Sequence, residues 1–273
     1  MLSSEILTYV TFVYGLSFLL FMLFHLTKRK GFVTAGDIAA GLGAIAHLTA
    51  LIIRWIESYR ILENGHVPLT NLYESLIVFS LFLTLTYLIF RLKTRYSFLG
   101  TFMMPLPLLA LAYASLMPDV ERSIRPLIPA LQSNWLTVHV LTCFFSYAAF
   151  AFSFVVAILY LWRKNREESI LPPEKTLDEL IYRGILVGMP LLTIGIITGS
   201  AWAHYAWGSY WSWDPKETWS LVTWIVYALF LHARLMAGWQ GRRTALLSII
   251  GFLAVLFTFF GVNFVLAGLH SYL

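Results

Sequence analysis

Residues 202–219 read Trp-Ala-His-Tyr-Ala-Trp-Gly-Ser-Tyr-Trp-Ser-Trp-Asp-Pro-Lys-Glu-Thr-Trp, which puts Trp202, Trp207, Trp211, Trp213 and Trp219, half of the chain's ten tryptophans, in one stretch. Clustered aromatic faces offer a flat apolar platform for a large planar ligand. The bland alternative is an interfacial belt, since Trp favours the headgroup region. A belt scatters aromatics over many helix ends, whereas these are stacked in one loop. The other residues able to do chemistry are histidines. His139, His232 and His270 stand outside or below that loop in sequence, and imidazole is a ready metal ligand. The single Cys143 excludes an internal disulfide, a Cys-ligated zinc site, a Cys-x-x-Cys redox pair and a Cys-x-x-Cys-His attachment motif. We read it as a small core residue on the same helix face as His139.

The elements that must carry these residues are membrane helices. Hydrophobic residues make up 59% of the chain and charged ones 12%, and the mean hydropathy is +0.75. Charged side chains are costly in hydrocarbon, so a chain that lives there is stripped of them. A net charge of +5 does not indicate nucleic acid, because the basic residues sit in short clusters between apolar runs. Eight apolar segments are long enough to span, at 5–27, 36–57, 70–91, 98–117, 134–163, 178–202, 218–237 and 244–268. The first is too long for a signal-peptide core and lacks a basic leader, so it reads as a retained span. Asn71-x-x-Glu74 and Thr176-x-x-Glu179 match capping boxes. Asp214-Pro215-Lys216-Glu217 adds proline at the first helical position and is the strongest helix start in the chain.

Charge then sets direction. With the amino terminus outside, the inner loops hold Lys28, Arg29, Lys30, Arg91, Lys93, Arg95, Arg163, Lys164, Arg166, Lys175, Arg183, Arg234, Arg242 and Arg243. The outer side keeps only Arg54, Arg60, Arg122, Arg125 and Lys216. This bias predicts an all-α integral membrane protein, a bundle of about eight transmembrane helices with both termini outside and the tryptophan loop external between helices 6 and 7.

Parity separates the histidines. Two spans lie between His139 and the loop and two more between the loop and His270, so all three face one side whichever way the chain inserts. Two imidazoles there could form a bis-histidine haem site; the alternative is a pair of ordinary interface residues. His232 lies 13 residues past Trp219, about 20 Å deeper along a helix. It is either a neutral residue bonded to a neighbouring helix or an intramembrane functional group. His47 is a weaker candidate at similar depth, and His25, His66 and His204 read as interface or loop residues. Asp214 is a natural N-cap and so builds the loop whether or not it touches a ligand. Lys216, Arg122 and Arg125 are the outer cations available to acidic groups of that ligand.

Trp207-Gly208-x-x-Trp211-x-Trp213-Asp214-x-Lys216-Glu217 resembles the tryptophan-rich signature of the haem-handling protein family. Its Trp-Asp-Pro-Lys-Glu ending is similar to the CcsA branch, also called ResC, of system II cytochrome c biogenesis. Pro68-Leu69-Thr70-Asn71-Leu72-Tyr73-Glu74-Ser75, Trp135-x-x-x-His139, Leu231-His232-Ala233-Arg234 and Leu269-His270-Ser271-Tyr272 resemble that branch too. The likeness covers roughly 65–273, leaving 1–64 as two N-terminal transmembrane helices. It implies that His139 and His270 are axial ligands of an external haem, and His232 a ligand of a second haem position inside the membrane. It further implies that Trp207, Trp211, Trp213 and Asp214 contact the cofactor, a transiently held haem b. The expected role is haem transport across the membrane and presentation for covalent attachment to the Cys-x-x-Cys-His segment of apocytochrome c. The expected partners are a CcsB/ResB-type membrane protein, with which the chain forms a cytochrome c synthase, and a thioredoxin-like reductant. The expected location is a bacterial plasma membrane, or a thylakoid membrane for a plastid-encoded chain. The rivals are a haem exporter like the CcmC branch, a membrane electron-transfer b-type cytochrome and a haem-independent solute transporter.

Overall fold

A computed structural model of the chain describes residues 1–94, 96–117, 120–163, 171–262 and 266. His270 with the 269–272 motif, and the basic residues Arg95, Lys164 and Arg166, lie outside these. Among the described residues every regular element is helical: α1 Leu2–Thr27, α2 Lys30–Ile61, α3 Leu72–Thr94, α4 Phe98–Met103, α5 Pro105–Leu116, a short 3₁₀ turn Pro129–Leu131, α6 Asn134–Arg163, α7 Glu174–Trp207, α8 Pro215–Leu235 and α9 Arg242–Leu256. A π turn, Phe257–Gly261, continues α9.

Among the described residues each apolar segment folds as helix, the fourth in two pieces interrupted before Pro105. Seven helices among the described residues are long and apolar enough to cross a membrane, with α4 and α5 counted as one span Phe98–Leu116. The exception is α8. Its 21 residues would reach about 30 Å, the thickness of a hydrocarbon core. However, Trp219, Trp224 and Tyr227 add little hydropathy, and its ends carry Lys216, Glu217, His232 and Arg234. Helices α2 and α7 overrun their apolar segments, because hydropathy marks only the stretch in hydrocarbon while backbone pairing continues into the polar rim.

The three expected helix starts differ. Asp214 and Glu217 form both halves of the box. At α3 only one half forms: the Glu74 amide donates to Asn71 Oδ1 at 2.8 Å, while the Glu74 carboxylate turns away to Thr70 and Arg54. At α7 no box forms at Thr176. The extended Pro173 caps the helix and starts it at Glu174, and Glu179 pairs instead with Arg183 one turn on, at 2.9 Å.

The described residues divide into two compact units, Met1–Ile128 and Pro129–Leu273. In the first, α1 and α2 fold back on each other through Lys28, whose φ is 58°. Ser17 donates to the Gly36 carbonyl at 2.9 Å, and Tyr14 lies 3.2 Å from Nδ1 of the fully buried His47. The polar centre of this unit is Arg54, 1% exposed, paired at 2.9 Å with Glu74, also 1% exposed. Glu74 Oε2 accepts from the Thr70 amide and hydroxyl, both at 3.0 Å. Arg54 donates onward to the Arg122 carbonyl at 3.1 Å and lies over the Tyr73 ring. Arg54 was counted among the outer cations, but its charge is neutralised and contributes little to topology.

In the second unit α6 and α7 run antiparallel along a seam of small residues. A Cβ on Gly184, Gly188, Gly195 or Gly199 would stand 2.1, 2.5, 2.6 or 2.5 Å from an α6 side chain. Such closeness lets backbones of membrane helices approach. It also lets α6 side chains reach α7 carbonyls at seven-residue intervals. Ser153 donates to Ile181 at 3.0 Å, Ser146 to Gly188 at 2.8 Å, and His139 Nδ1 meets Gly195 at 2.7 Å. At the far end of the seam Asp178, 5% exposed, holds Arg234, the Gly241 amide and Thr244. That carboxylate pins the α8–α9 turn to the start of α7.

Removing one partner of a buried ion pair strands the other, at about 3–5 kcal/mol. Glu74→Ala is therefore expected to lower the unfolding free energy of detergent-solubilised protein by that amount, and Glu74→Gln by less, because an acceptor for Thr70 survives. Unfolding within about 1 kcal/mol of wild type for Glu74→Ala, the upper end of surface-pair values, would refute the pin.

Candidate functional site

The tryptophan loop joins α7 to α8, and its shape is set by its two helix ends. Helix α7 stops at Gly208, whose φ of 76° closes the last turn with a 2.9 Å bond to the His204 carbonyl. Glycine enters this left-handed region without steric cost. At the other side Asp214, 6% exposed, accepts the Lys216 amide at 2.9 Å. Glu217, 9% exposed, gathers the loop onto one oxygen: Oε2 accepts the Ser212 amide at 2.7 Å, the Ser212 hydroxyl at 3.2 Å and the Asp214 amide at 3.2 Å. Between these anchors Trp213 is itself left-handed, with φ 60°, a conformation that costs a bulky residue about 1–3 kcal/mol. The Thr218 hydroxyl holds it there by donating to the Trp213 carbonyl at 3.2 Å.

The aromatic rings form notches and not one flat sheet. Trp211 and Trp213 stand edge to face, 5.8 Å apart at 88°, and Trp213 is 68% exposed. Trp207, the last residue of α7, meets Trp202 edge to face at 4.9 Å and 62°. Trp202 is the hinge of the arrangement. It is 3% exposed, its Nε1 donates to the Ala130 carbonyl at 2.8 Å, and its ring stacks on His139 at 6.2 Å and 19°. His204 stacks on Tyr210 at 4.2 Å and 8°, and Ser200 donates to the Tyr210 carbonyl at 2.8 Å. These two contacts fold the loop back along α7.

His139 and the tryptophan loop thus share one end of the α6–α7 pair, and Asp214, Trp207, Trp211 and Trp213 are gathered there. His232 is not. It lies 18 residues past Asp214 on α8, about 27 Å along the axis. Its side chain is exposed on a stripe with Val222, Ile225 and Leu229, and among the described residues no hydrogen bond reaches its ring. Among the described residues it is not bonded to a neighbouring helix. Of the loop cations, Lys216 sits in the first turn of α8, while Arg122 and Arg125 belong to the first unit. Arg125 is paired with Glu121 at 2.6 Å. Hydrogen bonds from the Ser123 hydroxyl and amide, and then the Arg125 charge, hold the Glu121 carboxyl below its ordinary range.

Sequence reasoning placed Trp202 in the aromatic cluster and Glu217 at the start of α8, but passed over the α7 glycines as working parts. Glycines four apart at 184/188 and 195/199, facing His139, Ser146 and Ser153 seven apart, were the available signal.

Glu217→Ala removes the acceptor for two loop amides, at about 1–3 kcal/mol for each buried donor left unmade. It is expected to raise protease cleavage at 208–214 and quench the near-ultraviolet tryptophan dichroism, with Glu217→Gln close to wild type. Unchanged cleavage in Glu217→Ala would show that the box does not hold the loop.

Residues 69–270 match the family described as "Cytochrome C assembly protein". The chain is 43% identical over 246 residues to "Cytochrome c biogenesis protein CcsA" of Chlamydomonas reinhardtii, covering 86% of this chain and 67% of that one. It is 38% identical to the protein of that name from Guillardia theta over 98% of this chain and 95% of that one. The corresponding protein of Prochlorococcus marinus is 39% identical, over 81% of this chain and 78% of that one. Among solved structures, "Cytochrome c Heme Lyase CcmF" shares the fold at a TM-score of 0.72 and 18% identity, over 94% of this chain and 46% of that one. A multi-pass helical membrane protein carrying these matches belongs to the cytochrome C assembly protein family.

Proposed function

We propose that this chain serves cytochrome c maturation by taking haem b through the membrane and presenting it for covalent attachment to apocytochrome c. His139 and His270 ligate the iron from outside, while Trp207, Trp211, Trp213 and Asp214 hold the macrocycle in the loop, with Lys216 toward the propionates. The thiols of the apocytochrome Cys-x-x-Cys-His segment then add across the two vinyl groups, each sulfur bonding one vinyl carbon and each proton passing to the other. The reactive groups belong to haem and substrate, so the chain's share is positioning and exclusion of competing geometry.

The observation that carries this reading is the location of His139, held against Trp202 at the same end of the α6–α7 pair as the tryptophan loop. His232 serves an earlier haem position in the membrane. Its exposure on an apolar stripe supports that role, because an imidazole facing hydrocarbon from α8 with no bond among the described residues calls for a metal or a partner group. The second ligand for that iron comes from a CcsB/ResB-type partner, and a thioredoxin-like protein keeps the apocytochrome thiols reduced. Residues 65–273 form the haem-handling part and 1–64 two added helices. The membrane is a bacterial plasma membrane or a thylakoid, with both termini and the loop outside. This orientation requires α8 to cross.

Purified protein, with its partner, is expected to show six-coordinate low-spin b-type haem. His139→Ala with His270→Ala should remove the external-site part of that spectrum, and free imidazole should partly restore it. An unchanged spectrum in the double variant would reject the external ligand pair. Haem still ligated in the double variant, and lost only when His232 is also replaced, would establish the membrane position. Reporter fusions after 30, 95, 170 and 240 should read cytoplasmic and those after 62, 125, 208 and 273 external. A fusion after 240 reading external would remove the crossing of α8.

A further inference from the structure

The contact between His139 and Gly195 fixes the chemical form of the ring as well as its place. A peptide carbonyl only accepts, so Nδ1, 2.7 Å from the Gly195 oxygen, must carry the imidazole proton. A neutral imidazole has one such proton, and Nε2 is left with a bare lone pair. The rungs below support the same sense of donation: Ser146 and Ser153, seven and fourteen residues on, can only donate to the carbonyls they meet. Among the described residues no hydrogen bond reaches Nε2.

The ring reaches that carbonyl only because α7 has no side chain in the way. A Cβ on Gly199 would stand 2.5 Å from Nδ1 and 2.7 Å from Cε1 of His139. The Gly195 carbonyl is itself held, accepting the Thr198 hydroxyl at 3.2 Å. Cys143 fills the notch of Gly195 and lies 3.7 Å from Nδ1, and Trp202 stacks on the remaining side.

We propose that Gly195 and Gly199 are positioning residues for iron ligation by His139. The Gly195 carbonyl selects the Nδ1–H tautomer, and the bare Gly199 admits the ring to it. Nε2 is then presented to haem already deprotonated, oriented and made more basic by the bond behind it, as metal-bound histidines are by their outer partners. The inference rests on the reading that His139 ligates haem.

The test uses the whole chain labelled with ¹⁵N-histidine, with its partner, before and after haem loading. Before loading, His139 should show a protonated Nδ1 and a bare Nε2. Gly199→Ala should disturb that pattern and weaken haem ligation by about 10–100-fold, the usual cost of losing an outer partner of a metal ligand. Gly188→Ala is the matched control, since its Cβ meets Phe150 at the same 2.5 Å on the same seam. It should leave the His139 resonances and the haem spectrum as in wild type. A wild-type His139 protonated on Nε2 overturns the proposal without any variant having to fold, and so does equal loss in Gly199→Ala and Gly188→Ala. If His139→Ala keeps normal haem ligation while the wild-type tautomer is as stated, the ligand reading has failed and the tautomer assignment has not.

Discussion

Helices α6 and α7 approach so closely that side chains of one replace missing side chains of the other, and much of the second unit is arranged around that contact. In hydrocarbon there is little hydrophobic gain from bringing two apolar helices together, so association relies on packing and on hydrogen bonds that water cannot contest. The glycines of α7 supply the first and expose carbonyls for the second. The ladder Ser153, Ser146, His139 climbs the seam at seven-residue steps. This spacing keeps one helix face against its neighbour when the pair coils gently left-handed. His139 is the top rung, so the ligand proposed for haem is also a structural donor. A ligand that doubles as a packing element cannot drift between rotamers as a surface histidine does.

Polar side chains elsewhere mark where helix ends are tied. Arg54 and Glu74 bind the end of α2 to the start of α3 and to the 120–125 segment. Asp178 and Arg234 bind the start of α7 to the end of α8, and thereby fix the height of His232 two residues before Arg234. Tyr87 and Arg91 meet Asp37 across α2 and α3. Each pair lies near the limit of a span, where burying charge costs less than at the centre of a bilayer. The loop is built by the same logic on a smaller scale. A single carboxylate, Glu217, collects the donors that a tight turn leaves over, and the strain at Trp213 is held by its neighbours' bonds.

The helices were legible in the sequence because hydrocarbon imposes a length and a composition that any chain must show. So was the start of α8, because Asp214, Pro215 and Glu217 act within one turn. The box at Thr176 misled because capping motifs are short, and Pro172-Pro173 ahead of it fixed an earlier start. The flat platform read from tryptophan density became two edge-to-face notches, because aromatic quadrupoles favour tilted rings and density carries no orientation. His139 could be paired with the loop by counting spans. Its bond to Gly195 could not, since it depends on the rotational phase of α7 against α6, which hydropathy does not register.

The π turn at Phe257–Gly261 carries one consequence for how such a chain can change over time. A wider turn amounts to one residue inserted into a helix, and everything after it is rotated by about 100° relative to an uninterrupted α-helix. Here that phase turns Val262 inward, 3% exposed, and puts the Thr258 hydroxyl on the Trp219 carbonyl at 3.2 Å. Loss of a single residue between 257 and 261 would restore ordinary winding and swing Val262 away from its inward bearing. Reading-frame-preserving deletions there are therefore far less neutral than their size suggests.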